Sequence, residues 1–393
     1  MMAPMQIKEH LTIGNIYDLL LCDYSARIHR LAGDKVFFPL LLNVNGSPLA
    51  KLSEKLGRRD CSNLVQEISA SLAKECQDYS ISFTDILRDD VIPMDVLSIY
   101  VPKPKIARFI RCPNCGAIYG TDPSIHTCKY CGEVVGFTEQ ETLAIDVCRD
   151  EVDEKLVSIR FVPDSARKRL LDFLDNMPDR YDLILERNRE YTVEANGYRL
   201  DPKYATILMM RSFCDSAPHY DEIVCIHGDV IKKLTYYMLA YLPSEYLPKT
   251  DIMHGLIVDA ERKKLRGDYL DAISGQGIKK KELRAILLKH SIIDDIVVDE
   301  QALLNDKKAV VKLYVLCERI KDDRNLDLDR NGVRESLNLI FQSFLDFANS
   351  WRLTQAFESA HSFVHTCWKI LKDDKLSYDE MDRVKQIQEV YFG

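Results

Sequence analysis

The segment RCPNCGAIYGTDPSIHTCKYCG, Arg111 to Gly132, constrains the fold most. It holds two Cys-x-x-Cys pairs separated by twelve residues, each followed directly by a glycine. Four thiolates at this spacing can surround one zinc ion tetrahedrally, and Gly116 and Gly132 supply the positive φ that tight turns need. The expected ligands are Cys112, Cys115, Cys128 and Cys131. His126 is a competing donor, expected instead in the loop. Four protein sulfurs leave no open coordination position, so such an ion clips structure and activates no water. Disulfide pairing is the alternative. The eight remaining cysteines are scattered without a framework, which fits reduced thiols and a cytoplasmic chain.

If the clip is structural, the chemistry lies elsewhere. A chain of 393 residues has room for two or three domains. Its net charge of −8 advertises no polybasic surface for nucleic acid. No run of eighteen apolar residues occurs and the first ten residues have no signal-peptide core, so no membrane partner is expected.

The apolar pattern alternates between the two periods of secondary structure. Ile16, Leu19, Leu20, Tyr24, Ile28 and Leu31 share a helical face, Gly33 stops that helix, and KVFFPLLLNV reads as a buried strand. Helices are expected over Ser62–Ala73 and Ser165–Asn176. YDEIVCIHGDVIKKLTYYMLAYL reads as strand, glycine turn and helix, and KTDIMHGLIVD as one more short strand. VPKPK (Val101–Lys105) reads as a linker into the cysteine module. After about Lys279 strands are expected to cease and helices to continue. This α/β alternation predicts a doubly wound parallel sheet, in which ligands gather at the carboxyl ends of strands beside helix N-termini. HLTIGN, IHGDV and ERKKLRGD all occupy such positions.

Taken in order, these segments resemble the catalytic core of class I aminoacyl-tRNA synthetases, most closely the methionyl type. DYSARIHRLAG matches that family's D-x-x-x-R-x-x-R-x-x-G pattern at Asp23, Arg27, Arg30 and Gly33. NVNGSP falls on its D-x-x-G-[ST]-P segment, and SISFTDILRDD on the stretch before its zinc-bearing connective insertion. IHGDVIKK resembles the G-K-D segment, IMHGLIVDAERKKLRG the strand leading into the K-M-S-K-S loop, and KKELRAILLKHSIIDDIVV the I-D-D-I segment. The resemblance implies a Rossmann-like catalytic domain in two halves (1–100 and 151–276), a zinc-ribbon insertion (101–150) and a shortened C-terminal α-helical bundle (277–393).

It further implies activation of a carboxylate by ATP with Mg2+. Gly14, Gly228, Asp229 and Ile257 would hold the nucleotide, with Asp229 on the ribose hydroxyls. Thr12, Asn15, Lys263 and Lys264 would face the phosphates, and Asn43 and Leu234 the carboxylate substrate. Departures from the family pattern are equally informative. The H-I-G-H motif reads Thr12-Ile13-Gly14-Asn15, and losing a cationic donor there costs on the order of 2–4 kcal/mol of transition-state stabilisation. The first lysine of the K-M-S-K-S loop becomes Glu261, with Lys264 holding the second, unless Arg262 or Lys263 substitutes by a shift in register. Asn43 replaces the aspartate that binds the amino acid's ammonium group, and Leu234 the histidine near the methionine side chain. Methionine is therefore a poor expected substrate. The acceptor implied is a small-molecule amine or hydroxyl, with the acceptor end of a tRNA as the alternative. A third reading is a catalytically silent binding or regulatory protein.

Overall fold

The computed structural model describes residues 4–45, 47–58, 61–120, 125–129, 131–187, 192–216, 220–228, 231–263, 265, 273, 277–322, 326–327 and 332–393. Its first half-sheet is parallel throughout. Strand β1 (Pro4–Gln6) leads through helix α1 (Ile13–Leu31) to β2 (Pro39–Asn43), and helices α2 (Ser47–Lys55) and α3 (Cys61–Asp78) lead to β3 (Asp85–Arg88), in the order β1-β2-β3. Right-handed crossovers through helices are what parallel neighbours require. Thr12 caps α1, and Gly33, at φ +91°, donates its N–H to Arg30 O (3.0 Å) to close the helix. Helix α3 runs five residues beyond the expected Ala73.

Helix α4 (Met94–Tyr100) precedes an antiparallel module. Strands β4 (Lys105–Arg111), β5 (Ile118–Gly120) and β6 (Gly136–Thr142) pair in the order β5-β4-β6 and carry the cysteine segment. Beyond it come β7 (Ala144–Cys148), α5 (Arg149–Val157), β8 (Arg160–Val162), α6 (Asp164–Leu174), β9 (Arg180–Ile184), β10 (Glu194–Ala195), β11 (Tyr198–Arg199) and α7 (Pro202–Ser216).

The second parallel half follows with β12 (Val224–His227), α8 (Ile231–Tyr241), β13 (Thr250–Met253) and β14 (Ile257–Val258). Strands β12, β13 and β8 pair in parallel in that order. Side chains alternate between two cores: Leu40, Leu42, Ile226 and Ile252 enter one, while Leu41, Cys225 and Met253 enter the other. Both faces of each half-sheet are therefore covered, as buried parallel strands demand.

Two expectations are corrected here. KTDIMHGLIVD is two strands: β13 ends at Met253, and after Gly255, whose N–H donates to Ile292 O (2.8 Å), Ile257–Val258 forms β14 in a separate pair. Strands also do not cease after Lys279. Helix α9 (Lys280–Lys289) is followed by β15 (Ile296–Val297), which pairs with β14. Helix α10 (Glu300–Asp322), β16 (Leu326–Asp327), α11 (Glu335–Asn349), α12 (Leu353–Asp373), β17 (Leu376–Ser377) and α13 (Tyr378–Phe392) complete the chain, with β16 paired to β17. These ladders are two residues long, too short to leave a period-2 signal.

A buried polar knot ties the bundle to α1. Asp23 accepts from Arg27 Nε (2.7 Å), Arg284 Nη2 (2.5 Å) and the Ser82 N–H (2.6 Å), while Arg27 also reaches Glu389 on α13. Burial alone would raise the Asp23 carboxyl, but Arg284 and Arg27 outweigh it and hold the group below its ordinary value. Trp351 lies in the bundle core and Trp368 is half-buried beneath Arg319, so both serve packing. Among the described residues, no helix is long and apolar enough to cross a membrane.

Candidate nucleotide site and metal centre

The cysteine module is built from two matching turns. Gly116 N–H donates to Cys112 O (3.0 Å) and Gly132 N–H to Cys128 O (2.9 Å), with φ of +69° and +79° at the two glycines. Each turn points its pair of thiols at the other. The Sγ atoms of Cys112 and Cys131 lie 3.4 Å apart, those of Cys115 and Cys128 3.5 Å, and all four fall within 4.8 Å of one another. A tetrahedral ion with bonds of about 2.3 Å holds its sulfurs roughly 3.8 Å apart, so the cluster fits a single metal. His126 is exposed and outside the cluster. Tyr119 braces it, with its hydroxyl 3.0 Å from Cys128 Sγ and accepting from the Lys129 N–H (2.9 Å).

The nucleotide-site candidates gather where α1 begins and β12 and β13 end. Thr12 and Asn15 face each other: the Thr12 hydroxyl donates to Asn15 Oδ1 (2.8 Å) and the Asn15 N–H to Thr12 Oγ1 (3.4 Å). This reciprocal capping box uses both side chains on the helix itself. Gly14 carries no protein constraint of its own: a Cβ there would touch only Thr12 Oγ1, at 4.0 Å. Sequence reasoning missed Lys8, whose Nζ donates to Asn15 Oδ1 (3.1 Å) and brings a cation to the helix start.

Across from α1, Gly228 follows β12 beneath the His254 ring, which a Cβ at position 228 would meet at 3.3 Å. His254 belongs to the IMHGLIVD segment. It binds Asp18 on α1 through Nε2 and the Gly255 carbonyl through Nδ1 (2.7 Å), and packs edge-on against Tyr17 at 4.8 Å. One imidazole thus joins the α1 start to the H-G turn. Below lies a second unanticipated network, in which the buried Asp251 binds the His227 Nε2 and accepts from Thr235 Oγ1 (2.8 Å). Asp229 and Lys264 lie outside the described residues.

The remaining candidates separate. Ile257 is buried in β14, and its carbonyl accepts the Leu265 N–H (3.0 Å). Lys263 projects from a turn in which Asp259 Oδ1 accepts the Glu261 and Lys263 N–H groups (2.9 and 2.8 Å), and its ammonium pairs with Glu261 at 2.6 Å in solvent. Leu234 is a core residue of α8. Asn43 stands at the end of β2, but its Nδ2 donates to Thr206 Oγ1 (2.9 Å) and Pro202 O (3.4 Å), while its Oδ1 accepts the Asn45 N–H (3.3 Å).

No family model and no curated protein matches the chain. Solved structures do. Methionyl-tRNA synthetase of Mycobacterium tuberculosis bound by methionyl-adenylate superposes with a TM-score of 0.69 at 14% identity, over 98% of this chain and 88% of that one. Its apo form gives a TM-score of 0.62 at 14% identity, over 99% and 87%. The fold is class I synthetase-like. At this identity the likeness concerns the backbone alone, and within it the α1 start and the H-G turn face each other at the carboxyl ends of parallel strands, where α/β sheets hold ligands.

Proposed function

We propose that the chain binds ATP with Mg2+ between the Thr12-Ile13-Gly14-Asn15 helix start and the His227-Gly228-Asp229 turn, and activates a carboxylate as an acyl-adenylate. The carrying observation is His254, which binds Asp18 on α1 and donates its backbone N–H to His227 O (3.2 Å), and so links the two segments beside an unconstrained Gly14. In that reaction the carboxylate attacks the α-phosphate and pyrophosphate leaves, so the protein's task is positioning and charge stabilisation. Gly14, Gly228 and Ile257 would admit the nucleotide against backbone, Asp229 would hold the ribose, and Lys8, Lys263 and Lys264 would neutralise phosphate charge. The cysteine cluster would hold a structural zinc. The acyl group would pass to a small-molecule amine or hydroxyl in the cytoplasm.

Two of the similar structures carry methionyl-adenylate, which supports an amino acid as the activated group. The domain limits that go with this reading are 1–100 and 151–276 for the catalytic halves, 101–150 for the metal module and 277–393 for the bundle. Thr12 and Asn15 closed on each other, with Lys263 paired to Glu261, favour a second reading: a nucleotide-binding protein without turnover. Calorimetry with ATP, then ATP–pyrophosphate exchange across all amino acids, separates the two. Binding without exchange supports the silent reading, and no binding at millimolar ATP rejects both.

A further inference from the structure

Among the described residues, the other buried carboxylates come with basic side chains. Asp23 has Arg27 and Arg284, Asp201 has Arg187 (2.8 Å), Asp306 has Lys289 and His290, Glu380 has Arg334 (2.6 Å), and Asp251 has the His227 imidazole. Asp89, fully buried, is the exception: among the described residues it has no cationic partner. Its Oδ1 accepts the Val44 N–H (2.8 Å), and its Oδ2 lies 3.2 Å from Thr206 Oγ1. That hydroxyl has one proton and a second acceptor, Pro202 O, closer at 2.9 Å. The Asn45 side chain is a further hydrogen-bonding neighbour of this carboxyl, so the group is held by neutral donors alone and by no cation. The charged neighbour that acts on Asp89 is Asp90, itself paired with Arg88 (3.0 Å).

An unpaired carboxylate in a dry site is costly, and it persists where a ligand completes it. Asp89 directly follows β3 and sits against Val44, at the strand ends where the substrate would lie. Asn43, by contrast, spends its amide on Thr206, Pro202 and Asn45. We propose that Asp89, not Asn43, receives a cationic amine on the activated carboxylate, the ammonium taking the place of the Thr206 hydroxyl at Oδ2. This rests on the carboxylate-activating reading and narrows its substrate to an amine-bearing acid. Burial supports it by pushing the Asp89 carboxyl up to about 7, a group that an arriving ammonium would ionise.

The test uses the full chain and the standard L-amino acids, each beside its des-amino acid. Thermal shift without ATP and pyrophosphate exchange with ATP are read at pH 6 and pH 8. At least one amino acid should register where its des-amino partner does not, about tenfold more weakly at pH 6, as a carboxyl titrating near 7 dictates. Asp89→Asn should remove both the preference and its pH dependence while leaving ATP affinity intact. Thr206→Ala, which frees Oδ2, should strengthen amine binding. Equal response to amino and des-amino acids, response to neither, or retained preference in Asp89→Asn overturns the assignment. If ATP fails to bind while the amine preference holds in the ATP-free measurement, the activation reading falls and Asp89 stands.

Discussion

The cysteine module and the proposed nucleotide edge solve the same problem, holding several side chains on one point, by opposite routes. The module does it within 20 residues, with two repeated turns whose glycines set the geometry. The proposed edge draws on α1, the end of β12 and the end of β13, which are brought together by a sheet and a His254–Asp18 bridge spanning 236 positions. A local site survives so long as its motif does. A distributed site depends on the whole fold, and its individual residues can drift while the frame remains.

Metal loss should give the largest effect. Cys128→Ser should abolish binding of the zinc proposed for the four thiolates and unfold the module while parallel-sheet signals persist, since structural zinc contributes on the order of 10 kcal/mol to such small units. Elemental analysis and hydrogen exchange check this; a module as protected without metal as with it breaks the contrast.

The frame itself is tested by Asp23→Asn, which leaves Arg27 and Arg284 without their buried partner. Denaturant unfolding should show a loss of about 3–5 kcal/mol. Next comes pH. A carboxyl raised by burial holds its proton in the native state while the unfolded chain has lost it, so Asp89 stabilises below about pH 4 and that contribution fades as pH rises through about 7. Asp89→Asn should flatten this slope by roughly 3–4 kcal/mol between the two ends, leaving it more stable than the parent at pH 8.

Smaller effects are expected at the proposed nucleotide edge. Lys8→Ala should slow pyrophosphate exchange by about 2–3 kcal/mol with little change in ATP affinity, because it acts on developing charge. Asp229→Ala should weaken ATP binding by roughly 1–3 kcal/mol, the loss when hydroxyl partners go unpaired. If both variants match the parent, the distributed site is a frame without a ligand.

These differences explain what could be read from the amino acids alone. The four cysteines, α1 with its Gly33 stop, and the strand–turn–helix at Val224–Tyr241 were legible because each is set by local spacing. The two-residue ladders β14-β15 and β16-β17 were not, since tertiary packing alone creates them. At the site, HLTIGN was visible as a helix start, but the closure of Thr12 on Asn15 and the arrival of Lys8 are facts of three dimensions. Asn43 looked like the substrate's partner because its neighbours in sequence do not show Thr206 and Pro202 on its other side. Asp89 carries no motif, and only its burial without a cation singles it out.

Gly255 has a consequence for how such chains are compared. A Cβ there would lie 2.3 Å from the carbonyl oxygen of Asp294, so even alanine is barred. The pressure to keep glycine comes from the crossing of two backbone segments, and it acts equally on a working catalyst and on a descendant that has abandoned catalysis. In a deep mutational scan position 255 would rank with the least tolerant, whatever the chain's activity, because the constraint there is on the backbone crossing.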